Sequence, residues 1–293
     1  MATLADGQFE IDGYVFGGVW DGLKIDKVDF PDMSWDTQDF DNMFDVGMLM
    51  GQDRLRSGEI TFELRTDTYS IDDAKGVVNS FAHKWLKSGS RSPRDISILR
   101  YRIGNRTMRV YGRGRKFKHG LDGWSLGGAS PVLCTFQMQS PFFFADDFRS
   151  QRLTYMPEVT GGLIHPLKDP LAAKGTQATS VNSALEDVGG DAPTPIVIRF
   201  YGPTASAVMK GDGWSVAYNA PIPAGGWVQI DTRFGYATCY DNAGRIVNGN
   251  LGWSTNLTKA RVAPPTELLY YTGVDPTNTS YATVTWWPAY YSY

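Results

Sequence analysis

Hydrophobic and polar positions alternate in short runs along most of the chain, and only one stretch follows helical spacing. Alternating runs at 8–11, 14–16 and 24–30 predict short strands near the start. Residues 59–65, Glu-Ile-Thr-Phe-Glu-Leu-Arg, alternate cleanly and predict a half-buried strand. Between 31 and 58 the alternation stops; Asp, Asn, Met and Gly mix, with pauses at Gly47 and Gly51. A loop this long in a compact domain is usually functional or an interaction arm.

Val77, Val78, Phe81, Ala82 and Trp85 recur at helical spacing and predict a helix over 71–87. Ser70 is its N-cap, with Asp73 accepting back as in a capping box. Lys84 and Lys87 suit the last turn, and Gly89 ends it. Residues 98–103 and 106–111 then form a hairpin through Gly104-Asn105, a two-residue turn of the right chemistry. In that register Leu99, Tyr101, Ile103, Met108 and Val110 share one face. Arg100, Arg102 and Arg109 share the other, with Arg100 directly opposite Arg109. Like charges so placed are destabilising, so this face requires water or a neutralising partner. A further strand at 131–138 runs into Ser140-Pro141-Phe142-Phe143-Phe144-Ala145-Asp146.

Residues 156–195 are punctuated by Pro and Gly and read as a junction. The domain boundary is placed near 150, giving units 1–150 and 151–293. The second unit reads as all-β, with strands at 196–201, 207–210, 214–218, 227–232, 236–240, 245–247, 268–271 and 281–287. Their 8–12-residue recurrence is that of a sandwich.

Charge sharpens this picture. The net charge is -3. Residues 1–150 hold 19 Lys/Arg and 21 Asp/Glu, leaving 9 and 10 for the charge-poor, aromatic-rich remainder. Asp29, Asp32, Asp36, Asp39, Asp41, Asp45 and Asp53 form a run without a base. Arg100, Arg102, Arg106, Arg109, Arg113, Arg115, Lys116 and Lys118 form one without an acid. Each run is a solvated face, or else the two meet, within one subunit or across a subunit boundary; the acidic 29–53 segment is the local candidate to neutralise the hairpin. Composition is too apolar for disorder, and no apolar run approaches the roughly 20 residues of a membrane span. No signal peptide is expected from the opening Met1-Ala2-Thr3-Leu4-Ala5-Asp6-Gly7. Cys134 and Cys239 are expected as buried thiols.

Catalytic signals are weak. Gly123-Trp124-Ser125-Leu126-Gly127 matches the serine nucleophile motif, but no helix follows, as that motif requires. His83, His119 and His165 offer little choice of base. No spacing supports zinc or a calcium loop, and Gly112-Arg113-Gly114-Arg115 lacks the features of a phosphate loop. A pair of distant carboxylates would leave no local signature. The basic hairpin suits nucleic acid electrostatically, but its domain carries net charge 19 − 21 = −2.

Three segments of the second half carry a family likeness. Pro193-Thr194-Pro195-Ile196-Val197-Ile198-Arg199-Phe200-Tyr201-Gly202 resembles the opening strand of the second domain of the distal tail proteins of siphophages. Pro223-Ala224-Gly225-Gly226-Trp227-Val228-Gln229-Ile230-Asp231-Thr232-Arg233 and the close at 281–291 resemble further strands of that domain. In the first half the order of elements is similar: strands, long loop, one helix, Arg-rich hairpin, and an exit through Phe-Ala-Asp. The chain departs from the family at 257–266, where a Leu-x-Pro-Gly-x-Asn segment is replaced.

The resemblance implies a mainly β fold: an N-terminal split-barrel-like domain with one packed α-helix, followed by a C-terminal galectin-like β-sandwich. It implies a structural virion protein of the phage tail tip, assembled in the host cytoplasm, with no catalytic residues, cofactor or metal and no membrane. Six copies would form a ring around the DNA channel. Its partners would be the tail tube, tape measure and tail-tip hub proteins, with DNA as cargo and, in some relatives, a host glycan. On this reading Asp36, Asp39, Phe40, Asp41, Phe44, Asp45, Arg100, Arg102 and Arg109 are expected at the inter-subunit interface. Tyr290, Tyr291 and Tyr293 are expected to form an outer docking strip. Trp214, Trp227, Trp253, Trp286 and Trp287 are candidate sugar platforms, with sandwich core as the blander role. A carbohydrate-binding tail module is the alternative function.

Overall fold

The structure, a computed structural model, describes residues 3–43, 46–87, 89–122, 124–155 and 184–293. The chain divides into two units, one running to Asp147 together with Ala289–Tyr293, the other Phe148–Pro288. The last five residues therefore belong with the first unit, not with the second as the sequence boundary had them.

The first unit is built on strands β1 (Phe9–Ile11), β2 (Tyr14–Phe16), β3 (Leu23–Asp29), β8 (Glu59–Thr66), β9 (Ser97–Ile103), β10 (Arg106–His119) and β11 (Pro131–Met138). Strands β4 to β7 lie in the 31–58 segment: Trp35–Asp36, Phe40–Asp41, Met48–Leu49 and Arg54–Leu55. The main sheet runs β2-β1-β9-β10-β11-β8-β3. It curls until its edges meet, where the Gly17 N–H donates to the Leu23 carbonyl at 2.9 Å. Strand β8 alternates as expected, burying Ile60, Phe62, Leu64 and Thr66.

Helix α1 (Ile71–Leu86) lies on this sheet and is the only α-helix among the described residues. Ser70 caps it by accepting from the Asp73 N–H at 3.2 Å. Ala74, Val78, Phe81 and Trp85 are its buried stripe, each large apolar member contributing roughly 1.5–3 kcal/mol. Trp85 meets Phe62 edge-on at 5.7 Å and Phe81 meets Phe16 at 5.1 Å. Helix and strand touch backbone to ring at Gly114, where a Cβ would fall 2.5 Å from the Trp85 carbonyl. The helix ends at Leu86 with Lys87 (φ 58) as its C-cap, one residue short of the expected 71–87. Arg91 accounts for the early stop by bonding the Trp85 and Leu86 carbonyls.

After β11, the short strand β12 (Phe143–Ala145) pairs with β10 on one side and with β24 (Ala289–Tyr290) on the other.

The second unit is a sandwich. One sheet runs β13 (Arg149–Thr154), β23 (Tyr281–Trp286), β15 (Thr194–Tyr201), β18 (Trp227–Asp231), β19 (Thr238–Asp241), with β20 (Arg261–Val262) beside β15. The other is β17 (Trp214–Tyr218), β16 (Ser206–Gly211), β22 (Tyr270–Val274). A small ladder joins β14 (Ala184–Leu185) to β21 (Glu267–Leu268). Ile196, Ile198 and Phe200 from one sheet and Met209, Val216 and Tyr271 from the other share the core. The strand expected at 245–247 is reduced to one bridge, Tyr240 to Ile246, because Asp241 turns the chain there by accepting from the Ala243 and Arg245 N–H groups. Both cysteines are buried and free, as the sequence predicts.

Candidate functional site: an exposed arm and a basic strip

The hairpin forms in the expected register, with Arg109 opposite Arg100 and Tyr101 opposite Met108. Both arginines are buried, at 6% exposure each. Their neutraliser is not the acidic 29–53 segment. It is Asp146, just past β12, and Glu10, which β1 places directly opposite Arg100. Arg100 donates from Nε and Nη2 to the two Asp146 carboxylate oxygens at 2.9 and 2.5 Å, and from Nη1 to Glu10 Oε2 at 2.5 Å. Arg109 donates to Asp146 Oδ1 at 3.0 and 2.6 Å and to its backbone carbonyl at 2.7 Å. Burial raises the Asp146 pKa, but the hydrogen bonds and charges of the two guanidiniums outweigh it and hold the carboxyl below its ordinary range. Two guanidiniums opposed by two carboxylates is the pairing buried charge requires. Arg102 is half-buried and donates to the Leu4 and Gly104 carbonyls, both at 3.3 Å. The sign segregation read along the sequence is therefore undone in three dimensions at Arg100 and Arg109.

The exposed part of the basic run lies further on. Arg115, Lys116 and Lys118 stand out from the second half of β10, with Arg113 half-buried. Arg91 reaches in beside them, bonding the Gly114 carbonyl at 2.7 Å. Burial lowers the Arg91 pKa, and the adjacent charges of Arg113 and Arg115 lower it further.

The 31–58 segment carries four two-residue strands, β4 to β7, in an otherwise irregular stretch. It is a hairpin of two nested ladders: β4 pairs with β7 (Trp35 opposite Leu55) and β5 with β6 (Phe40 opposite Leu49). Neither ladder joins the main sheet. Gly47, at φ 122, supplies the turn conformation that other residues resist. Asp36 meets Arg56 at 2.9 Å, and Asp39 accepts from the Gly51 N–H at 2.9 Å. Trp35, Phe40, Met43, Val46, Met48, Leu49 and Met50 are all more than half exposed. Phe44 and Asp45 lie outside the described residues. So many large apolar groups on one arm exceed what an isolated soluble surface carries.

Tyr290, Tyr291 and Tyr293, the expected docking strip, pack in part on the first unit, and Tyr291 and Tyr293 stay 44% and 63% exposed. Tyr290 sits in β24 and packs on the first unit's core. Tyr291 meets Phe142 edge-on at 5.4 Å, and Tyr293 stacks on Phe30. These contacts help close the first unit and leave much of Tyr291 and Tyr293 outward-facing.

Sequence reasoning missed a second apolar surface. Val19 and Trp20, Tyr69, and Leu121, Trp124 and Leu126 stand out from three loops, with Trp20 at 96% and Tyr69 at 100% exposure. The loops are stitched together: the Asp67 N–H bonds the Gly22 carbonyl, and the Thr66 and Thr68 hydroxyls donate to the Gly128 carbonyl at 2.6 and 2.9 Å. Large apolar residues inside Gly- and Asp-rich turns were the available signal.

Ser125 is a turn residue: its hydroxyl is bound to Asp122, 3.1 Å from the carboxylate. Among the described residues no three His, Cys, Asp or Glu side chains gather as metal ligands. Of the candidate sugar platforms, Trp214 and Trp286 are core, with their indole N–H groups bonded to the Arg261 and Val188 carbonyls. Arg199 covers Trp227 at 4.4 Å and Arg233 covers Trp287 at 4.8 Å. Trp253 alone among these five stands free, at 98% exposure.

No protein-family model matches the chain, and no curated protein matches it. Solved structures do. The crystal structure of the SPP1 Dit protein, described as a paradigm of hub adsorption apparatus in phages infecting Gram-positive bacteria, is similar with a TM-score of 0.61 at 13% identity. The likeness covers 96% of this chain and 98% of that one. The phage P2 baseplate, in its activated conformation with calcium, gives 0.57 at 10% identity over 95% and 97%. The same baseplate with strontium gives the same figures. The chain thus has the fold of phage tail-tip hub and baseplate proteins over nearly its whole length.

Proposed function

We propose that this protein is a structural component of a bacteriophage tail tip, a non-enzyme whose first unit joins copies into a ring, six in number, around the DNA channel. The ring connects the tail tube to the distal tip, and the tape measure and hub proteins are its neighbours there. The observation that carries this reading is the end-to-end likeness in fold to the SPP1 Dit protein across both units. The arm supports it independently. A hairpin that pairs with nothing in its own sheet and exposes Phe40, Met43, Val46 and Met48 needs a surface to lie on. Methionine suits such an adaptable contact. A closed ring is head-to-tail, so an arm on one side and a receiver on another is the kind of interface it requires.

Native mass at micromolar concentration tests the reading. A six-copy species that dissociates when the arm is removed is the expected result. A single copy at every concentration, with no incorporation into assembling tails, would refute it. Trp253 favours a second role for the second unit, binding a glycan through its exposed ring face. A glycan array with intact and Trp253→Ala protein decides that.

A further inference from the structure

The proposed ring leaves open what the arm lies against, and the first unit contains a surface with the matching chemistry. At the C-terminal end of α1, Ala82, Leu86 and Gly89 floor a groove of about 430 Å³ that His83, Lys87 and Arg91 complete. Its floor is apolar, and Leu86 is 38% exposed there. Arg113, Arg115 and Lys116 of β10 stand beside it: Arg91 bonds the Gly114 carbonyl between them, and the Trp85 indole N–H bonds the Lys116 carbonyl at 3.2 Å. Carboxylates are few. Asp12 is taken by Lys87 at 2.9 Å, and Asp95 accepts from the Ser92 N–H at 2.6 Å. Arg91 is pinned between the helix end and β10, so these like charges are held together by the fold rather than free to separate.

We propose that this groove receives the arm tip of a second copy, with Phe40 and Met43 on the Ala82–Leu86 floor and Asp39 and Asp41 facing Arg113 and Arg115. This inference rests on the ring reading above. Charge complementarity selects the occupant: the tip is apolar and acidic, and the groove is apolar and basic. Duplex DNA would satisfy the arginines but leave the apolar floor and the arm both uncovered. Opposite charges at such a contact set register and speed of encounter, while the apolar anchors slow its release.

Two variants of the full chain that each add one cysteine, Met43→Cys and Leu86→Cys, test this when mixed and mildly oxidised. The native Cys134 and Cys239 are buried and, with burial pushing both thiols up, stay unreactive. Met43 is 89% and Leu86 38% exposed, and circular dichroism of each variant checks its fold before mixing. The expected product is a mixed disulfide between copies, at least roughly tenfold more abundant than between Met43→Cys and a Trp253→Cys control. Arg113→Glu with Arg115→Glu should lower its yield about tenfold, and Asp39→Lys with Asp41→Lys in the partner should restore it. Copies that associate by native mass but link no better than the control would overturn the groove as receiver and leave the ring reading standing. A single-copy mass with no link and no incorporation into assembling tails would overturn both. Suppression of link formation by duplex DNA added before oxidation, with DNA affinity lost in the Arg113→Glu, Arg115→Glu variant, would reassign the groove to nucleic acid.

Discussion

The ring of Tyr293 stacks on the ring of Phe30, centroids 4.0 Å apart and planes 14° from parallel. Phe30 is the residue before the arm, and it also meets Tyr101 at 5.4 Å and Phe143 at 6.0 Å. The 289–293 segment thus clamps the arm's root, and its pairing with Phe143–Ala145 covers an otherwise open strand. Tyr293→Ala should cost about 1 kcal/mol, the value of one aromatic pair. Deleting 289–293 should cost several times more, because it bares the Phe143–Phe144 backbone. Urea unfolding of the two variants measures both. A deletion that leaves stability unchanged but loosens a tail partner would restore the docking-strip reading.

Asp146 is the keystone of the buried arginine pair. Asp146→Ala removes the carboxylate that Arg100 and Arg109 share and should destabilise the first unit by about 3–5 kcal/mol. The same network changes the meaning of one obvious experiment. Reversing Arg100, Arg102 and Arg109 to probe assembly should unfold the unit instead, since it would place buried acids against Glu10 and Asp146. Circular dichroism of the variant before any assembly assay checks this.

The acid limb of stability follows from the same group. A carboxyl depressed in the folded state contributes in full above its unfolded pKa of about 3.9. That contribution falls as pH drops past this value and is gone below the folded pKa. Two guanidiniums depress Asp146, so the native protein should lose stability as pH falls below 4, more steeply than Asp146→Asn, whose amide cannot titrate. Urea midpoints across that range compare the two slopes.

Replacing residues 33–55 by a short Gly-Ser linker should leave the thermal stability of the first unit within roughly 0.5 kcal/mol of the original, because neither arm ladder joins the main sheet. The variant should run as a single copy by native mass. Gly114→Ala makes the opposite kind of change. Its methyl would fall 2.5 Å from the Trp85 carbonyl and 2.6 Å from the indole, prising α1 off β10 at a cost of roughly 1–3 kcal/mol. Near-ultraviolet circular dichroism should register the loss at Trp85.

The hairpin was legible to the residue, because Gly104-Asn105 fixes the turn and alternation fixes the register. The partners of Arg100 were not: Asp146 and Glu10 lie 46 and 90 residues away, and no local pattern links charges across such gaps. The arm read as irregular for a physical reason. Both of its faces are exposed, so period-two alternation has no core side to mark. Strand β24 escaped because two residues carry no period at all, and no local pattern ties Tyr291 and Tyr293 to Phe142 and Phe30. Helix α1 was legible because its buried stripe is long, while its stop was set by Arg91, a residue beyond it.

The strands on either side of the second unit, Phe143–Ala145 and Ala289–Tyr290, lie paired side by side. That unit is therefore spliced into the first rather than strung behind it. Traction applied to it divides between two tethers embedded in one sheet, where a single linker would bear the whole load. The same arrangement lets evolution exchange the insert as a cassette, since both cut points are already neighbours.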